Sequence, residues 1–265
     1  MKLRTVAFSI ATDDKNMEYY KMMSNSWKKF HPDIPLLLWN KEKVSKYDDP
    51  HWLYRATPNI MYELRNDYDL IIQTNADQII TGNLDYVLKG DYEMGVVYNY
   101  NRVDTATYGP ISCLDIPNHY YYNLGFIAVH SKRLIENWHK LVNSYHFMNY
   151  QYREQDLMNI MAYYGDYKVK CFDEYDPSTK HSGFYGLKSK GEWHRAIMKD
   201  NKLILPRSDE GYPERDKELK ILHWAGGNNG VKMNYRAYFS EPCIKYLDWL
   251  TTDTKLTYGD YLKTR

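Results

Sequence analysis

One stretch, residues 68–84 with the sequence YDLIIQTNADQIITGNL, constrains the fold more than any other part of the chain. Its apolar run Leu70–Ile72 is too short for a buried helix and therefore predicts a central β-strand. The residues Asn75-Ala76-Asp77 follow almost at once, so we expect Asp77 just past the carboxyl edge of a buried strand. In open α/β sheets, ligands bind at that edge.

Asp77 is therefore a candidate metal ligand. A carboxylate at this position, with a carboxamide two residues earlier, can hold a divalent cation that also binds a diphosphate. Mg²⁺ is usually bound in this way, by one or two carboxylates plus substrate phosphates. Alternatively Asp77 only begins a turn, because short acidic motifs often occur by chance. The spacing alone leaves both interpretations open.

The first 40 residues predict a β-α-β unit. Residues 5–11 form a strand, apolar residues at helical spacing follow it, and residues 35–39 form the next strand. Such a unit places two parallel strands side by side with a right-handed crossover. Ala11, Thr12 and Asp14 then lie at the carboxyl edge of the first strand. They can contact a nucleotide there or simply begin the helix, and both roles suit a helix N-terminus.

The rest of the chain continues the alternation and predicts an α/β fold, with a Rossmann-like, mostly parallel central sheet flanked by helices. A second short apolar pair lies at 79–80. Further strands are predicted at 93–98, 125–129, 168–172, 202–205 and 219–224, and helices at 58–64, 83–88 and 154–164. Ser131 is predicted to cap a helix that buries Leu134, Ile135, Trp138, Leu141, Val142 and Tyr145. A mostly helical tail is expected at 236–265.

Composition bounds the class of protein. A chain of 265 residues that is 43% hydrophobic can build a sizeable core, and we expect one domain over 1–265 with its core at about 5–235. The net charge of +1 gives no general attraction to nucleic acid or to a membrane. The short N-terminal apolar run lacks a signal-peptide pattern and no segment reaches spanning length, so we expect a cytoplasmic protein.

Four further segments join Asn75-Ala76-Asp77 in a recognisable order. They are Ala11-Thr12-Asp13, Tyr122-Asn123-Leu124-Gly125-Phe126, Glu154-Gln155-Asp156-Leu157-Met158-Asn159, and His223-Trp224-Ala225-Gly226 followed by Lys232. With them, the chain resembles the GT-A-fold (nucleotide-diphospho-sugar transferase) glycosyltransferases over roughly residues 5–235. It is most similar to the retaining enzymes of glycosyltransferase family 8, which include glycogenin and bacterial lipooligosaccharide galactosyltransferases.

The resemblance implies a catalytic domain that moves a hexose-type sugar from a UDP-sugar to an unknown hydroxyl acceptor, with Mn²⁺ or Mg²⁺ assisting. Asp77 and His223 are the implied metal ligands, and an imidazole ligand favours Mn²⁺. Asn75 stands where the family carries the first acid of its Asp-x-Asp motif, so it assists without contributing a charge. In isolation, a hydrogen-bonded core position would be the better interpretation of His223, and Gly226 and Lys232 after it favour the metal ligand instead.

The resemblance also implies contacts to the donor. The implied nucleotide-binding residues are Ala11, Thr12, Asp14, Asn75, Ala76, Asp77, Asp156, Gly226 and Lys232. Asn123 would bind donor hydroxyls, Glu154 would accept from sugar hydroxyls, and Gln155 would face the anomeric carbon. Because a carboxamide is a poor nucleophile, front-face departure and attack fits better than a covalent intermediate. We expect all these side chains to converge on one pocket.

Two alternatives remain open from sequence. The Asn75 substitution is compatible with a catalytically silent nucleotide-sugar or glycan-binding protein. A nucleotidyltransferase shares the architecture, but it would require a Gly-rich loop after the first strand, and residues 12–15 contain no glycine. The sugar, the acceptor and the oligomeric state are not indicated, and we expect the acceptor side to use 99–120, 173–195 and the tail.

Overall fold

The structure is a computed structural model of the chain. It describes residues 3–45, 51–99, 120–144, 150, 152–173, 185–187, 193–207, 215–224 and 234–264; at 185–187 and 193 it describes the backbone alone.

The described residues form twelve strands and eight α-helices. The strands are β1 (Thr5–Ile10), β2 (Leu36–Trp39), β3 (Leu70–Thr74), β4 (Gln78–Ile80), β5 (Met94–Tyr98), β6 (Tyr122–Val129), β7 (Val169–Cys171), β8 (Tyr185–Leu187), β9 (Ile197–Lys199), β10 (Lys202–Leu205), β11 (Lys217–Glu218) and β12 (Ile221–His223). The helices are α1 (Asp14–Phe30), α2 (Lys41–Ser45), α3 (Ala56–Leu64), α4 (Asp85–Leu88), α5 (Lys132–Val142), α6 (Arg153–Tyr164), α7 (Glu241–Thr251) and α8 (Tyr258–Lys263). The predicted strands and helices are thus found close to their predicted ends.

The chain forms two compact units from interleaved stretches. Unit 1 consists of Met1–Thr12, Ile34–Thr74 and Asp85–Cys171, and unit 2 consists of Asp13–Asp33, Asn75–Leu84 and Phe172–Arg265. The single domain expected over 1–265 stays a prediction.

Unit 1 is built on a six-stranded sheet in the order β2-β1-β3-β6-β5-β7. The pairs β1–β2, β1–β3 and β5–β7 are parallel, whereas β6 runs antiparallel to both β3 and β5. Three of the five pairings are therefore parallel, as a mostly parallel sheet requires. β3 lies inside the sheet and all five of its residues are buried, which confirms the predicted central strand.

The core of unit 1 combines apolar side chains of the sheet with those of α3, α5 and α6. Ser131 caps α5 by accepting a hydrogen bond from the backbone N–H of Leu134. Leu134, Ile135, Trp138 and Val142 are buried, as predicted for that helix. The prediction for Leu141 is wrong, because its side chain lies on the outer face of α5 and is exposed. Tyr145 lies outside the described residues.

Helix α6 is held against the start of β6 by one side chain. Asn159 accepts a hydrogen bond from the backbone N–H of Tyr122 at 2.7 Å and donates to its carbonyl at 3.0 Å. Because β6 is antiparallel to β3 and Phe126 pairs with Thr74, the N-terminal residues of β6 lie at the same sheet edge as the C-terminal end of β3. This arrangement brings the first turn of α6 to the carboxyl edge of the sheet.

Unit 2 contains two three-stranded sheets, β4-β12-β8 and β11-β10-β9. Helix α1 packs against β4 and α7. The buried Ser26 hydroxyl of α1 accepts a hydrogen bond from the backbone N–H of Ile80 at 3.0 Å. The Tyr246 hydroxyl of α7 donates to the carbonyl of Thr81 at 2.9 Å. These two contacts fix β4, the short strand that directly follows Asp77.

Among the helices in the described part of the chain, none is both long enough and apolar enough to cross a membrane.

Candidate active site

The first group of candidate residues lies in unit 2 and pairs an acid with a histidine. His223 Nε2 lies 3.2 Å from Asp77 Oδ1, although the two residues are distant in sequence. The His223 side chain is 3% exposed and that of Asp77 19% exposed. The imidazole is therefore buried and the carboxylate is partly accessible to solvent, so a ligand can reach the pair from the side of Asp77.

Strand pairing brings this acid and histidine together. β12 runs antiparallel to β4, and His223 pairs with Gln78 in the ladder. One residue further along, the backbone N–H of Trp224 donates to the carbonyl of Asp77 at 3.0 Å. The hydrogen-bonded ladder thus continues to Asp77 and sets the separation of the two side chains.

Asn75 completes this group. Its side-chain nitrogen lies 3.3 Å from the same His223 Nε2. Rotation of the carboxamide by 180° exchanges its nitrogen and oxygen, so either atom can face the imidazole. With the oxygen inward, the three residues present one nitrogen and two oxygen donors around a small space.

These donors fit a divalent cation. Two ligand atoms that each lie about 2.1 Å from one ion, at roughly a right angle, are about 3.0 Å apart, close to the 3.2 Å between Asp77 and His223. An O, O, N donor set suits Mn²⁺ and leaves positions open for phosphate oxygens. Within the described ranges, no group of three His, Cys, Asp or Glu side chains is found that could hold a metal ion, so Asn75 is needed for a third ligand.

The predicted nucleotide-binding segment after β1 spans the end of unit 1 and the start of unit 2. Ala11 is buried, and its backbone N–H donates to the carbonyl of Trp39 at 3.0 Å. Asp13 caps α1, since its carboxylate accepts from the backbone N–H of Asn16 at 2.7 Å and from the Asn16 carboxamide at 2.8 Å. Thr12 is partly exposed and Asp14 exposed, so both side chains are accessible to a ligand.

The second group lies in unit 1, around the carboxamide of Gln155. Its oxygen accepts a hydrogen bond from the backbone N–H of Leu124 at 2.8 Å. Its nitrogen donates to the hydroxyl of Tyr121 at 3.2 Å. Both ends of the carboxamide are therefore held by β6 and the residue before it, and Gln155 has a fixed orientation.

Asp156 lies behind this carboxamide and is completely buried. One carboxylate oxygen accepts from the Tyr121 hydroxyl at 2.8 Å, and the other accepts from the backbone N–H of Tyr152 at 2.8 Å. Burial raises the pKa of Asp156, while these two hydrogen bonds oppose the rise. These contacts give the carboxylate of Asp156 two internal partners, and its predicted nucleotide contact stays a prediction.

Asn123 is nearly buried at the start of β6. Its carboxamide oxygen accepts from the backbone N–H of Gly125 at 2.6 Å, and its nitrogen donates to the side chain of Asn99 at 3.0 Å. The first contact is a local turn-like bond of the kind that asparagine side chains form with nearby backbone N–H groups.

Glu154 begins the same turn of α6 as Gln155. Its Oε2 is buried and, among the described residues, has no hydrogen-bond partner. Burial raises the pKa of this carboxyl well above its usual value, and the nearby Asp156 raises it further. Arg153, the preceding residue, has a φ of 49°. A non-glycine residue in this left-handed region carries strain, and such strain often accompanies functional sites.

Two of the predicted site residues, Gly226 and Lys232, lie outside the described residues. Ala76 is buried between Asn75 and Asp77. Sequence reasoning did not assign Tyr121, Asn159 or Asn99 to the site. A signal for Asn159 existed: it lies four residues after Gln155, so both project from one face of the helix.

Solved structures with the same fold are glycosyltransferases. The galactosyltransferase LgtC in complex with donor and acceptor sugar analogues has a TM-score of 0.56 at 15% identity, covering 95% of this chain and 98% of that one. An active-site glutamine-to-glutamate mutant of LgtC gives 0.57 at 14% identity, with 96% and 97% covered. The apo structure of the bifunctional glycosyltransferase WbbM gives 0.59 at 12% identity, covering 100% of this chain and 52% of that one.

These likenesses confirm the predicted fold. The chain has an α/β architecture with a mostly parallel central sheet, and it shares its fold with these GT-A glycosyltransferases. No protein-family model matches the chain, and no curated protein matches it. The identities are low, so what the chain acts on has to be argued from its own residues.

Proposed function

We propose that this protein is a retaining glycosyltransferase that transfers a hexose-type sugar from a UDP-sugar to a hydroxyl acceptor. The observation that carries the proposal is that the side chains of Asn75 and Asp77, just after β3, both lie close to Nε2 of His223, at 3.3 and 3.2 Å. The glycosyltransferase fold supports the same reaction class. We take residues 1–265 to be one catalytic domain.

Asp77 and His223, with the oxygen of Asn75, would hold Mn²⁺ or Mg²⁺ against the diphosphate of the donor. When bound, the ion supplies positive charge that stabilises the diphosphate as it leaves, and such preorganised electrostatics are usually the largest catalytic contribution. The protein contributes a rigid imidazole and a carboxylate on a fixed ladder. Thr12 and Asp14, at the start of α1, would contact the nucleoside.

Gln155, Glu154 and Asn123 would serve the donor sugar. Gln155 has one N–H and one oxygen lone pair left after its bonds to Tyr121 and Leu124. These can bind sugar hydroxyls or stabilise positive charge near the anomeric carbon. The raised pKa of Glu154 means that its carboxyl can also donate a hydrogen bond to a hydroxyl, besides accepting one.

The contacts of Asp156 favour a front-face mechanism over a covalent intermediate. Both of its carboxylate oxygens accept internal hydrogen bonds and the residue is fully buried. Gln155, beside it, is a poor nucleophile. Departure of the diphosphate and attack of the acceptor from the same face retain the configuration without a covalent glycosyl-enzyme, and the leaving phosphate can accept the acceptor's proton.

Two solved structures of LgtC support this assignment through their bound ligands and their active-site residue. LgtC was crystallised with donor and acceptor sugar analogues, and a glutamine belongs to its active site. A glutamine fixed at the N-terminal turn of α6 is the corresponding kind of residue in this chain. The match is one of chemistry and fold, and it motivates the choice of Gln155 as the group nearest to the reaction.

The test is release of UDP from a panel of UDP-sugars, with Mn²⁺, with Mg²⁺ and with EDTA. We expect one donor to be consumed fastest, with activity lost in EDTA and restored by Mn²⁺. NMR of the product should show that the anomeric configuration is retained. A trapped covalent glycosyl-enzyme, or metal-independent turnover, would contradict this metal-assisted front-face mechanism.

A second function, binding of a nucleotide sugar without catalysis, is favoured by one observation: Asn75 replaces a charged ligand. Thermal-shift measurements separate the two, because any bound donor stabilises the fold. A donor that raises the melting temperature yet remains intact after exhaustive incubation with candidate acceptors would identify a binding protein. Hydrolysis or transfer of that donor would identify the enzyme.

A further inference from the structure

We propose that Tyr121 is a positioning residue for the proposed transfer: its hydroxyl, oriented by Asp156, fixes the carboxamide of Gln155 in one of its two orientations. The inference depends on the proposed function, since it assigns a role within the same site. It also gives the buried Asp156 a role inside the site.

The orientation of Gln155 is set by complementary partners at its two ends. The backbone N–H of Leu124 can only donate, so it must face the carboxamide oxygen, at 2.8 Å. The carboxamide nitrogen then faces the Tyr121 hydroxyl at 3.2 Å. A rotation of 180° would place an N–H₂ group against the Leu124 N–H, leaving a donor against a donor.

The Tyr121 hydroxyl can receive this hydrogen bond because its own proton is directed elsewhere. A phenol has a single O–H, and that of Tyr121 donates to Asp156 Oδ1 at 2.8 Å. Tyr121 is 1% exposed and Asp156 0% exposed, so no bulk water competes for either group. Burial raises the pKa of the Tyr121 hydroxyl well above its usual value, so the hydroxyl keeps its proton.

Asp156 is in turn fixed by the backbone at the start of α6. Its second oxygen accepts from the N–H of Tyr152 at 2.8 Å, which is the N-cap residue of that helix. The hydrogen bonds therefore form one continuous series, in which each group donates to or accepts from the next. The series runs from the Tyr152 N–H through Asp156 and Tyr121 to Gln155. Buried and fully connected networks of this kind define a single arrangement.

The consequence is that removal of the Tyr121 hydroxyl should free the nitrogen end of the Gln155 carboxamide, which the backbone N–H of Leu124 then holds at its oxygen alone. Tyr121→Phe keeps the ring and its packing. It removes the acceptor of Gln155 Nε2 and a donor to Asp156. Misorientation of a group close to the reacting atoms typically costs up to about 100-fold in rate.

The test compares Tyr121→Phe with Tyr92→Phe. Tyr92 is also buried in unit 1, and its hydroxyl donates to the carbonyl of Val87 at 2.6 Å. Tyr121→Phe loses two hydrogen bonds of a buried hydroxyl and Tyr92→Phe loses one, so both variants should melt at lower temperature. We expect kcat to fall about 10- to 100-fold in Tyr121→Phe with KM for the donor nearly unchanged, and kcat to be preserved in Tyr92→Phe.

A double-mutant cycle with Gln155→Ala tests whether Tyr121 acts through Gln155. If it does, Tyr121→Phe should change kcat by less than about twofold in the Gln155→Ala background. Equal effects in both backgrounds, or equal kcat losses in Tyr121→Phe and Tyr92→Phe, would overturn the proposal and leave a purely structural role.

NMR of the ¹⁵N-glutamine-labelled whole chain provides a readout independent of turnover. We expect the side-chain amide pair of Gln155, assigned by its absence in Gln155→Ala, to shift in Tyr121→Phe and to remain in place in Tyr92→Phe. An unmoved pair in Tyr121→Phe would refute the positioning role. If the wild-type protein consumes no UDP-sugar, the proposed function fails, and this measurement still decides whether Tyr121 fixes Gln155.

Discussion

Nε2 of His223 lies 3.2 Å from Oδ1 of Asp77, and one antiparallel ladder between β4 and β12 sets that separation. The acid, the imidazole and the amide of Asn75 are the basis of the proposed metal site. Each contributes a different ligand group, so their separate removal should have separable consequences.

Replacement of His223 should abolish metal-dependent turnover. His223→Gln keeps a polar side chain but removes the imidazole, and with it the ligand that favours Mn²⁺. We expect donor turnover to fall by about 100-fold or more, together with a loss of Mn²⁺ binding measured by calorimetry. The exposed His194 provides a control, since His194→Gln should change neither quantity. Unchanged Mn²⁺ affinity in His223→Gln would remove His223 from the site.

Asn75→Asp should strengthen metal binding. The added carboxylate brings a negative charge to a position 3.3 Å from the His223 imidazole. We expect Mn²⁺ to bind about tenfold more tightly, a gain of about 1.4 kcal/mol, which is a modest share of the Coulomb energy between charges at such separations. Calorimetric titration of the metal alone measures it. An affinity equal to that of wild type would mean that Asn75 is not a metal ligand, and would favour contact with the ribose.

Glu154→Gln should stabilise the folded chain at neutral pH. Burial raises the pKa of Glu154 above the usual 4.5, so the folded state keeps a proton that the unfolded chain has released. Stability therefore falls as the pH rises from about 4.5 towards the raised pKa, and the full penalty persists above it. Glutamine carries no charge and avoids the penalty.

Thermal unfolding from pH 4 to 8 measures this effect. The melting temperature of Glu154→Gln should exceed that of wild type at pH 7, by about 2–4 °C for each kcal/mol gained, and the difference should shrink towards pH 4. Glu18→Gln, at an exposed position of α1, is the control and should follow the wild-type curve. A difference that does not vary with pH would show that the pKa of Glu154 is not raised in the folded state.

Ser26→Ala should destabilise the support beneath the Asp77 turn. The Ser26 hydroxyl accepts from the N–H of Ile80 and donates to the carbonyl of Met23 at 2.7 Å. Without it, the Ile80 N–H is buried and unpaired, which costs about 1–3 kcal/mol. Urea denaturation measures the loss. Ser45→Ala removes an exposed hydroxyl bonded to the carbonyl of Glu42 and should cost much less; equal losses would contradict the supporting role of Ser26.

Much of the fold could be predicted because hydrophobic patterning specifies it locally. The run Leu70–Ile72 is buried on both sides of the sheet, and the helical spacing in α1 and α5 marks their inner faces. The direction of β6 was not predictable in this way: all eight of its residues are buried, and a continuous apolar run has the same pattern in either direction. Leu141 shows the same limit, because an apolar side chain at the border of a helix face can remain exposed.

The candidate site was predictable in its residue types and not in its internal bonding. The Asp77–His223 separation depends on strand register, which is fixed by pairing between segments far apart in sequence. The hydrogen bonds of Gln155 and Asp156 depend on where Tyr121 and Leu124 lie after α6 has packed on β6. A sequence shows that such polar residues share a helix turn, but it does not show which of them face a ligand and which face each other.

The interleaving of the two units has a practical consequence for dissecting the chain. Helix α1 and β4 precede most of unit 1 in sequence, yet they pack with α7 and β12 in unit 2. A fragment truncated after Cys171 would leave the apolar sides of α1 and β4 uncovered, and the complementary fragment would lack the Asp77 ladder. Neither half should be expressible as a soluble piece, whereas co-expression of the two would offer a route to reassembly.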